Sequence, residues 1–438
     1  IRDRTVIESY DPYLNGYAGW YDPSAREIEI GDQLDTHVMF HELSHVWFNG
    51  GLFDERWITE GLADEFGAEV VEALGQERPE PPPTRSTAPA AVALNRWRVQ
   101  TDDVDQEEWA YGASWTVTRA MADIVGLDVL AAVAQAASED RIAYVGDGEP
   151  ETENRPNDWR LYLDLIENSG DVGGDVITEL FEEWVVAPNQ VDDLEERAAS
   201  RRRYADIEEA GAAWAPPLAV RQALSDWDFD EADELMDAAG EILDRRARTV
   251  EVLDRLSASL PDGTTVALPD RLEVAYEQAE DDLDDAADLI DRALVVAEEL
   301  GAAGRSVEGA TGALERIGAI GADHRDELVV AATRFTGGDL DGAVAGAERI
   351  DADVAELSRR GLLRLVLAVG SLSVLTGGLL AWRGRWRRRR PADTGPAQLP
   401  PGSTIETASP DAGPSTAISV APPVVADRRD DDLLDLDR

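Results

Sequence analysis

The motif HELSH at residues 41–45 holds the side chains best suited to chemistry in this sequence. Its two histidines are four residues apart, which places both imidazoles on one face of a helix. Such a pair can bind one zinc ion, with the carboxylate of Glu42 beside it. The alternative is a pair of surface or core histidines on an amphipathic helix. The chain has only four histidines, so this spacing rarely arises by chance.

A catalytic zinc site has three protein ligands and keeps a fourth position open. His324 lies far along the chain and His37 lies one turn too early, so we expect a carboxylate as the third ligand. Glu60, in the segment WITEGLADEF, follows His45 by 15 residues. A hairpin of two helices would bring it back to the metal. The sequence therefore predicts one Zn²⁺ ion held by His41, His45 and Glu60.

Asp64 lies one helical turn beyond Glu60, on the same face of the predicted helix. A ligating histidine usually donates its second N–H to a carboxylate, which fixes the tautomer of the ring. We therefore predict that Asp64 orients one of the two histidine ligands. The alternative is a solvent-exposed acid on a helix surface.

Helices must position these side chains. The first is predicted to begin at Asp35 or Thr36, either of which can cap it, and to end at the Asn-Gly-Gly run at 49–51. A second helix is predicted over 57–74. Upstream, residues 17–30 predict two short strands around an Asp-Pro-Ser turn.

Further helices are predicted downstream of a Pro-rich loop, over 107–137, 158–166 and 173–185. The sequence WAPP at 214–217 indicates a domain boundary. Beyond it, residues 219–360 are predicted to be almost wholly helical, with acidic runs on solvated faces.

The segments HELSHVWF and RWITEGLADEF together resemble the gluzincin metallopeptidases, the clan of thermolysin-like and aminopeptidase-N-like enzymes. In that clan the HExxH motif supplies two zinc ligands and a base, and an E-G-apolar-A helix supplies the third ligand. The run from Trp57 is particularly similar to the aminopeptidase-N-like branch. The resemblance implies a thermolysin-like catalytic domain with Glu42 as general base. The 14 residues between His45 and Glu60 form a shorter connection than is typical of that branch.

A tyrosine near the start of a Y-x-x-G-A-type helix stabilises the oxyanion in the aminopeptidase-N-like branch. Here Tyr111 begins YGASWTVTRAMADIVG, and Gly126 follows fifteen residues later. The Gly-Ala step lies two residues closer to the tyrosine than in the family. The resemblance implies that Tyr111 donates a hydrogen bond to the developing oxyanion. The alternative is an aromatic core residue at a helix start.

The clan also binds the substrate backbone on an edge strand that precedes the HExxH helix. Tyr17, Ala18 and Gly19 stand in that place. Aminopeptidases of the group have a glutamate there that holds the free amine, and YAGWY has none, so endopeptidase action is slightly favoured over aminopeptidase action. The resemblance covers roughly residues 15–190. The β-rich part that usually precedes them is mostly missing, so we expect the start to be truncated.

Residues 361–382 are predominantly apolar and have one charged residue, Arg364. At about 1.5 Å per residue they reach roughly 30 Å, the thickness of the hydrocarbon core of a bilayer. Six arginines follow within 383–390, which places that end in the cytoplasm. The sequence therefore predicts one transmembrane helix, with residues 1–360 outside the membrane. The alternative is a buried core helix.

The excess negative charge of the chain lies entirely on the N-terminal side of the predicted transmembrane helix. The chain has a formal net charge of −50, and residues 1–360 hold 30 Arg and 81 acidic residues. The segment 383–438 is neutral, with a basic stop and then a disordered, Pro- and Ser-rich cytoplasmic tail. This acidity disfavours nucleic-acid binding. The absence of Cys excludes a disulfide scaffold and a cysteine nucleophile.

These features predict a mostly helical α+β protein: a catalytic domain over 1–214, a helical extracytoplasmic region over 219–360, one transmembrane helix and a tail. The expected function is that of a membrane-anchored, bacterial zinc peptidase acting on a peptide or protein substrate. The alternative is a catalytically inactive, peptidase-like surface receptor or scaffold. In either case the helical region is a candidate surface for a protein partner.

Overall fold

A computed structural model of the chain describes most of residues 6–387. The described ranges are 6–12, 19–22, 24–31, 35–146, 148, 150–169, 175–261 and 264–387. Residues 1–369 belong to one compact unit and residues 370–438 to a second. The predicted cytoplasmic tail beyond residue 387 lies outside the described residues.

The structure is mostly helical with one small sheet, as the sequence predicts. The strands are β1 (Ile7–Tyr10), β2 (Gly19–Asp22) and β3 (Glu27–Ile30). The helices are α1 (Thr36–Ser44), α2 (Arg56–Ala73), α3 (Val104–Val125), α4 (Leu127–Ser138), α5 (Trp159–Asn168), α6 (Asp175–Trp184), α7 (Val191–Gly211), α8 (Leu218–Asp226), α9 (Phe229–Ser259), α10 (Asp270–Glu277), α11 (Asp284–Gly309), α12 (Ala313–Gly318), α13 (His324–Thr336), α14 (Leu340–Ala355) and α15 (Leu357–Arg387).

The sheet has the strand order β1-β3-β2. Strands β2 and β3 pair antiparallel, which confirms the predicted hairpin. The carboxylate of Asp22 accepts hydrogen bonds from the backbone N–H groups of Ser24 (2.8 Å) and Ala25 (3.1 Å), an arrangement that favours the turn. Strand β1 pairs parallel with β3, and the sequence analysis missed it. Within the described sheet β2 is an edge strand.

Helix α1 begins at the N-cap Asp35, whose carboxylate accepts from the backbone N–H groups of His37 (2.8 Å) and Val38 (3.4 Å). The helix ends at Ser44, five residues before the Asn-Gly-Gly run at which it was predicted to end. The backbone then forms a tighter turn of the 3₁₀ type, because the N–H of His45 donates to the carbonyl of Glu42, three residues earlier, at 3.3 Å. The His45 carbonyl accepts instead from Asn49 Nδ2 at 2.8 Å.

Glycines allow α2 to approach its neighbours closely. A Cβ at Gly61 would lie 2.6 Å from the backbone oxygen of Ser114 in α3. A Cβ at Gly67 would lie 3.1 Å from the backbone nitrogen of His41 in α1. Both separations are shorter than ordinary contacts. A side chain at position 61 would force α2 away from the backbone of α3, and one at position 67 would require α1 to give way by a few tenths of an ångström.

The helical pattern predicted over 107–137 is two helices in the structure. Gly126 has φ of +89°, and α3 and α4 meet there at an angle of 108°. A residue without a Cβ adopts this conformation at little cost. The predicted helices over 158–166 and 173–185 correspond to α5 and α6, of which α6 is described from Asp175 onward.

The described residues between 6 and 369 form two hydrophobic cores. The first includes buried residues from Phe48 to Met236 and the second from Trp214 to Ile350. They overlap along the chain, because α8 contributes Val220 and Leu224 to the first core and Ala219 to the second. The domain boundary at 214–217 therefore stays a prediction.

Helix α15 includes the apolar segment of the predicted membrane span. Its stretch Leu357–Arg383 is long and apolar enough to cross a membrane, judged by length and composition. This stretch begins four residues before the predicted span of 361–382. Membrane insertion and its direction remain predictions.

Glu55, which precedes α2, is a buried acid with an incomplete set of partners. Its side chain is fully buried, and Oε1 accepts from Arg98 Nη2 at 2.9 Å. Oε2 has no hydrogen-bond partner among the described residues. Burial raises the pKa of Glu55 from 4.5 to about 7.

This shift predicts a pH-dependent gain in stability for the variant Glu55→Gln. Between pH 4.5 and 7 the folded state binds more protons than the unfolded state, so the stability of the parent falls as the pH rises through this window. At pH 8 we expect Glu55→Gln to raise the free energy of unfolding by about 2–3 kcal/mol. The gain should vanish near pH 4.

Urea denaturation of both proteins at pH 4 and pH 8 measures this gain. Glu108→Gln, a substitution of an exposed acid, serves as the control. A Glu55→Gln variant that is equally stable relative to the parent at both pH values would contradict the prediction.

Candidate metal centre

Helices α1 and α2 form the hairpin that the sequence predicts, and three side chains converge between them. The Nε2 atoms of His41 and His45 lie 3.1 Å apart. Oε2 of Glu60 lies 3.3 Å from the first nitrogen and 3.4 Å from the second. The three side chains are 13–14% exposed, so they are mostly buried but reachable from solvent. Together they form a group that could hold a metal ion.

These separations fit a tetrahedral zinc ion. Zn–N and Zn–O bonds of about 2.0–2.1 Å place neighbouring ligands of a tetrahedron about 3.3–3.4 Å apart. The three observed distances are 3.1, 3.3 and 3.4 Å. Two histidines and one carboxylate are also a ligand set of catalytic zinc sites, which keep a fourth position open. The residues present therefore fit the ion that the sequence predicts.

Each histidine is oriented through its second ring nitrogen. His41 Nδ1 lies 2.9 Å from Asp64 Oδ1, and His45 Nδ1 lies 2.8 Å from the backbone oxygen of Phe48. If both Nδ1 atoms donate, both Nε2 lone pairs face Glu60, which is the tautomer a metal needs. The structure thus places Asp64 where the sequence analysis expected an orienting carboxylate.

His37 contacts Asp64 and does not belong to the group of candidate ligands. Its Nε2 lies 2.9 Å from the backbone oxygen of Asp64, and its ring stacks on Trp115 with 4.7 Å between centroids. His37 therefore supports the residue that orients His41.

The carboxylates of the site differ in their electrostatics. Burial raises the pKa of Glu42. Burial also acts to raise the pKa of Glu60, but when the rings of His41 and His45 are protonated, their Nε2–H groups donate to Glu60 and outweigh burial, which holds this pKa well below its usual range. Glu60 is therefore ionised, as a metal ligand must be.

Strand β2 lies against the side chain of Glu42. A Cβ on Gly19 would lie 2.7 Å from Cγ of Glu42, so the strand backbone occupies the space next to this acid. Of the three residues predicted to bind the substrate backbone, Tyr17 and Ala18 lie outside the described residues. Gly19 begins β2 on the edge of the described sheet.

Tyr111 is connected to the site through Arg56. Arg56 Nη2 donates to the Tyr111 hydroxyl at 2.7 Å, and Arg56 Nε lies 3.6 Å from Glu60 Oε1. The guanidinium also pairs with Glu107 at 3.0 Å and lies 4.1 Å from the centre of the Trp97 ring. Burial raises the pKa of Tyr111, so its hydroxyl stays protonated and can donate.

The sequence analysis missed Arg56. The spacing in the segment RWITE could have indicated it, because the arginine precedes Glu60 by four residues and so lies one turn away on the same helix face. Its contact with Tyr111 joins α2 to α3 across 55 residues of sequence, which no local pattern reveals.

No protein-family model, curated protein or solved structure matches this chain.

Removing the carboxylate of Asp64 is expected to weaken metal binding. The variant Asp64→Ala leaves His41 Nδ1 without its partner, so the ring is free to rotate or to change tautomer. Loss of such a partner typically costs 10- to 100-fold in metal affinity, and we expect a loss of that size. Competition of the purified protein with a zinc-selective dye measures it.

Glu72→Ala, a change of an exposed acid on the same helix, is the matched control and should bind zinc as the parent does. Unchanged zinc affinity in a folded Asp64→Ala protein would show that Asp64 does not orient the ligand.

Proposed function

We propose that this chain is a zinc-dependent peptidase, similar in its site to the gluzincins and anchored in a membrane. One observation carries the proposal: the three ligand atoms of His41, His45 and Glu60 lie 3.1–3.4 Å from one another. Glu42, adjacent to a ligand, is the proposed general base. A thermolysin-like arrangement of β2, α1 and α2 is part of the proposal.

His41, His45 and Glu60 would hold one zinc ion. When bound, the ion supplies Lewis acidity toward a water molecule and the scissile carbonyl. Glu42 takes a proton from the attacking water and delivers it to the departing amine as the C–N bond breaks. The water oxygen remains on the new carboxylate, so atoms and protons balance. Tyr111, held by Arg56, is the proposed donor to the oxyanion.

The proposed substrate is a peptide or protein segment in extended conformation. It would pair with the edge strand β2, where Gly19 lies beside Glu42. The segment YAGWY has no acid to hold a free amine, which favours endopeptidase action over aminopeptidase action. We also propose that residues 361–382 cross the cell membrane once, with the catalytic side outside and the Arg-rich end in the cytoplasm.

The test uses the full chain purified in detergent micelles. We expect it to bind zinc at this site and to cleave members of a mixed peptide library. A chelator should remove the activity and added zinc should restore it. The double variant His41→Ala/His45→Ala should lose this zinc and the cleavage together.

Cleavage that persists in the double variant would overturn the proposal, and so would a parent protein with no zinc at these histidines. Zinc binding without turnover of any peptide would reject peptidase function and support the alternative of an inactive, receptor-like protein.

A further inference from the structure

The fourth histidine of the chain lies in a second cluster of metal-ligating side chains, far along the sequence from the first. His324 begins α13, Glu327 lies one turn later, and Asp353 lies in the last turn of α14. The two helices form a hairpin through the turn at 337–339, so the start of α13 lies beside the end of α14. One ligand atom from each of the three residues lies within 4.8 Å of the others.

A second observation points to a ligand at this cluster. His324 is 6% exposed, and its buried Nε2 has no hydrogen-bond partner among the described residues. Buried polar atoms in proteins are nearly always paired. An imidazole nitrogen next to two carboxylates is well suited to bind a cation.

The charges around the cluster favour a cation overall. Two carboxylates contribute most of the field, and the C-terminal end of α14 adds partial negative charge. Two features oppose binding: the N-terminus of α13 is partly positive, and Arg360 Nη2 already pairs with Asp353 Oδ1 at 2.8 Å. The second oxygen of Asp353 remains for a metal, so affinity should be lower than at the first site.

The donor set selects the kind of ion. One imidazole nitrogen with two carboxylate oxygens suits borderline transition metals such as zinc, whereas magnesium and calcium prefer oxygen ligands alone.

We propose that His324, Glu327 and Asp353 form a second, structural site for a divalent transition metal, which closes the open end of the α13–α14 hairpin. Asp353 lies four residues before Leu357, where α15 begins. A metal here would therefore fix the point from which the apolar helix departs. This site does not depend on the proposed peptidase function.

The experiment isolates the second site in the full chain. The variant His41→Ala/His45→Ala, purified in detergent micelles, is titrated with Co²⁺ and Zn²⁺, followed by visible absorption and by calorimetry. We expect about one equivalent of metal to remain bound and to raise the thermal midpoint. Adding His324→Leu, which replaces the buried imidazole by an apolar side chain of similar size, should weaken binding at least 10-fold.

Glu327→Gln provides a second variant, because Glu327 is exposed and its replacement should leave folding intact. It should also weaken binding at least 10-fold, while Glu348→Gln, an exposed change on α14, should not alter it. The proposal fails if no metal binds in the His41→Ala/His45→Ala background. It also fails if neither His324→Leu nor Glu327→Gln changes the affinity for the remaining metal. Because the experiment is carried out in the His41→Ala/His45→Ala background, a failure of zinc binding at the first site does not affect the metal binding measured at the second.

Discussion

Replacing Glu42 by Gln is expected to lower kcat for peptide hydrolysis by about 100- to 10,000-fold, the range typical of a lost general base. Gln has nearly the same shape as Glu, but its amide cannot take a proton from water. The ligands His41, His45 and Glu60 are unchanged, so zinc should stay bound. The expected signature is a fall in kcat with zinc content equal to that of the parent.

The surroundings of Glu42 make this substitution a clean test. A Cβ on Gly19 would lie only 2.7 Å from Cγ of Glu42, so the backbone of β2 confines the Glu42 side chain. A larger replacement would displace β2, whereas Gln fits the same space. Glu72→Gln, on the exposed face of α2, is the matched control and should retain full activity. If the Glu42→Gln protein is as active as the parent, the proposed mechanism is wrong.

Replacing Arg197 by Met is expected to lower the free energy of unfolding by about 3–5 kcal/mol, the usual cost of removing one partner of a buried ion pair. Arg197 is 3% exposed, and its guanidinium lies 2.6 Å from Asp164 and 2.8 Å from Glu167. The side chain of Asp164 is fully buried and that of Glu167 is 2% exposed. Met has a similar length but leaves Asp164 without its main countercharge, whereas Glu167 keeps its ion pair with Arg201 at 2.8 Å.

This network is also connected to the candidate metal centre. Asp164 accepts from Trp227 Nε1 at 2.8 Å, so it joins α5 to the segment after α8. On the same helix, Tyr162 packs edge-on against Trp57 of α2, with 5.9 Å between ring centroids. Because α2 also carries Glu60, we expect loosening of α5 to displace this candidate ligand.

The urea midpoint for loss of the helical circular dichroism signal measures the effect. Arg202→Met is the matched control, since Arg202 is exposed on the same helix, and it should change stability by less than about 0.5 kcal/mol. Equal midpoints for the Arg197→Met and Arg202→Met variants would show that the buried network contributes little to stability.

Local patterns predicted the elements that position the site. The helix of α1 begins at Asp35, one of the two caps expected, and α2 spans Arg56–Ala73 where 57–74 was expected. The hairpin of β2 and β3 was also predicted. These signals depend on caps, turns and periodicity within a few residues, and the chain satisfies them locally.

The sequence by itself determined which side chains could act: the HExxH spacing selects two imidazoles on one helix face, and Glu60 and Asp64 share a face of the next. Only the tertiary structure decided how they meet. It brought Glu60 Oε2 to 3.3–3.4 Å from both histidines, paired β1 with β3, and inserted Arg56 between Glu60 and Tyr111. These contacts join segments distant in the chain, so they depend on how helices pack and not on any local spacing.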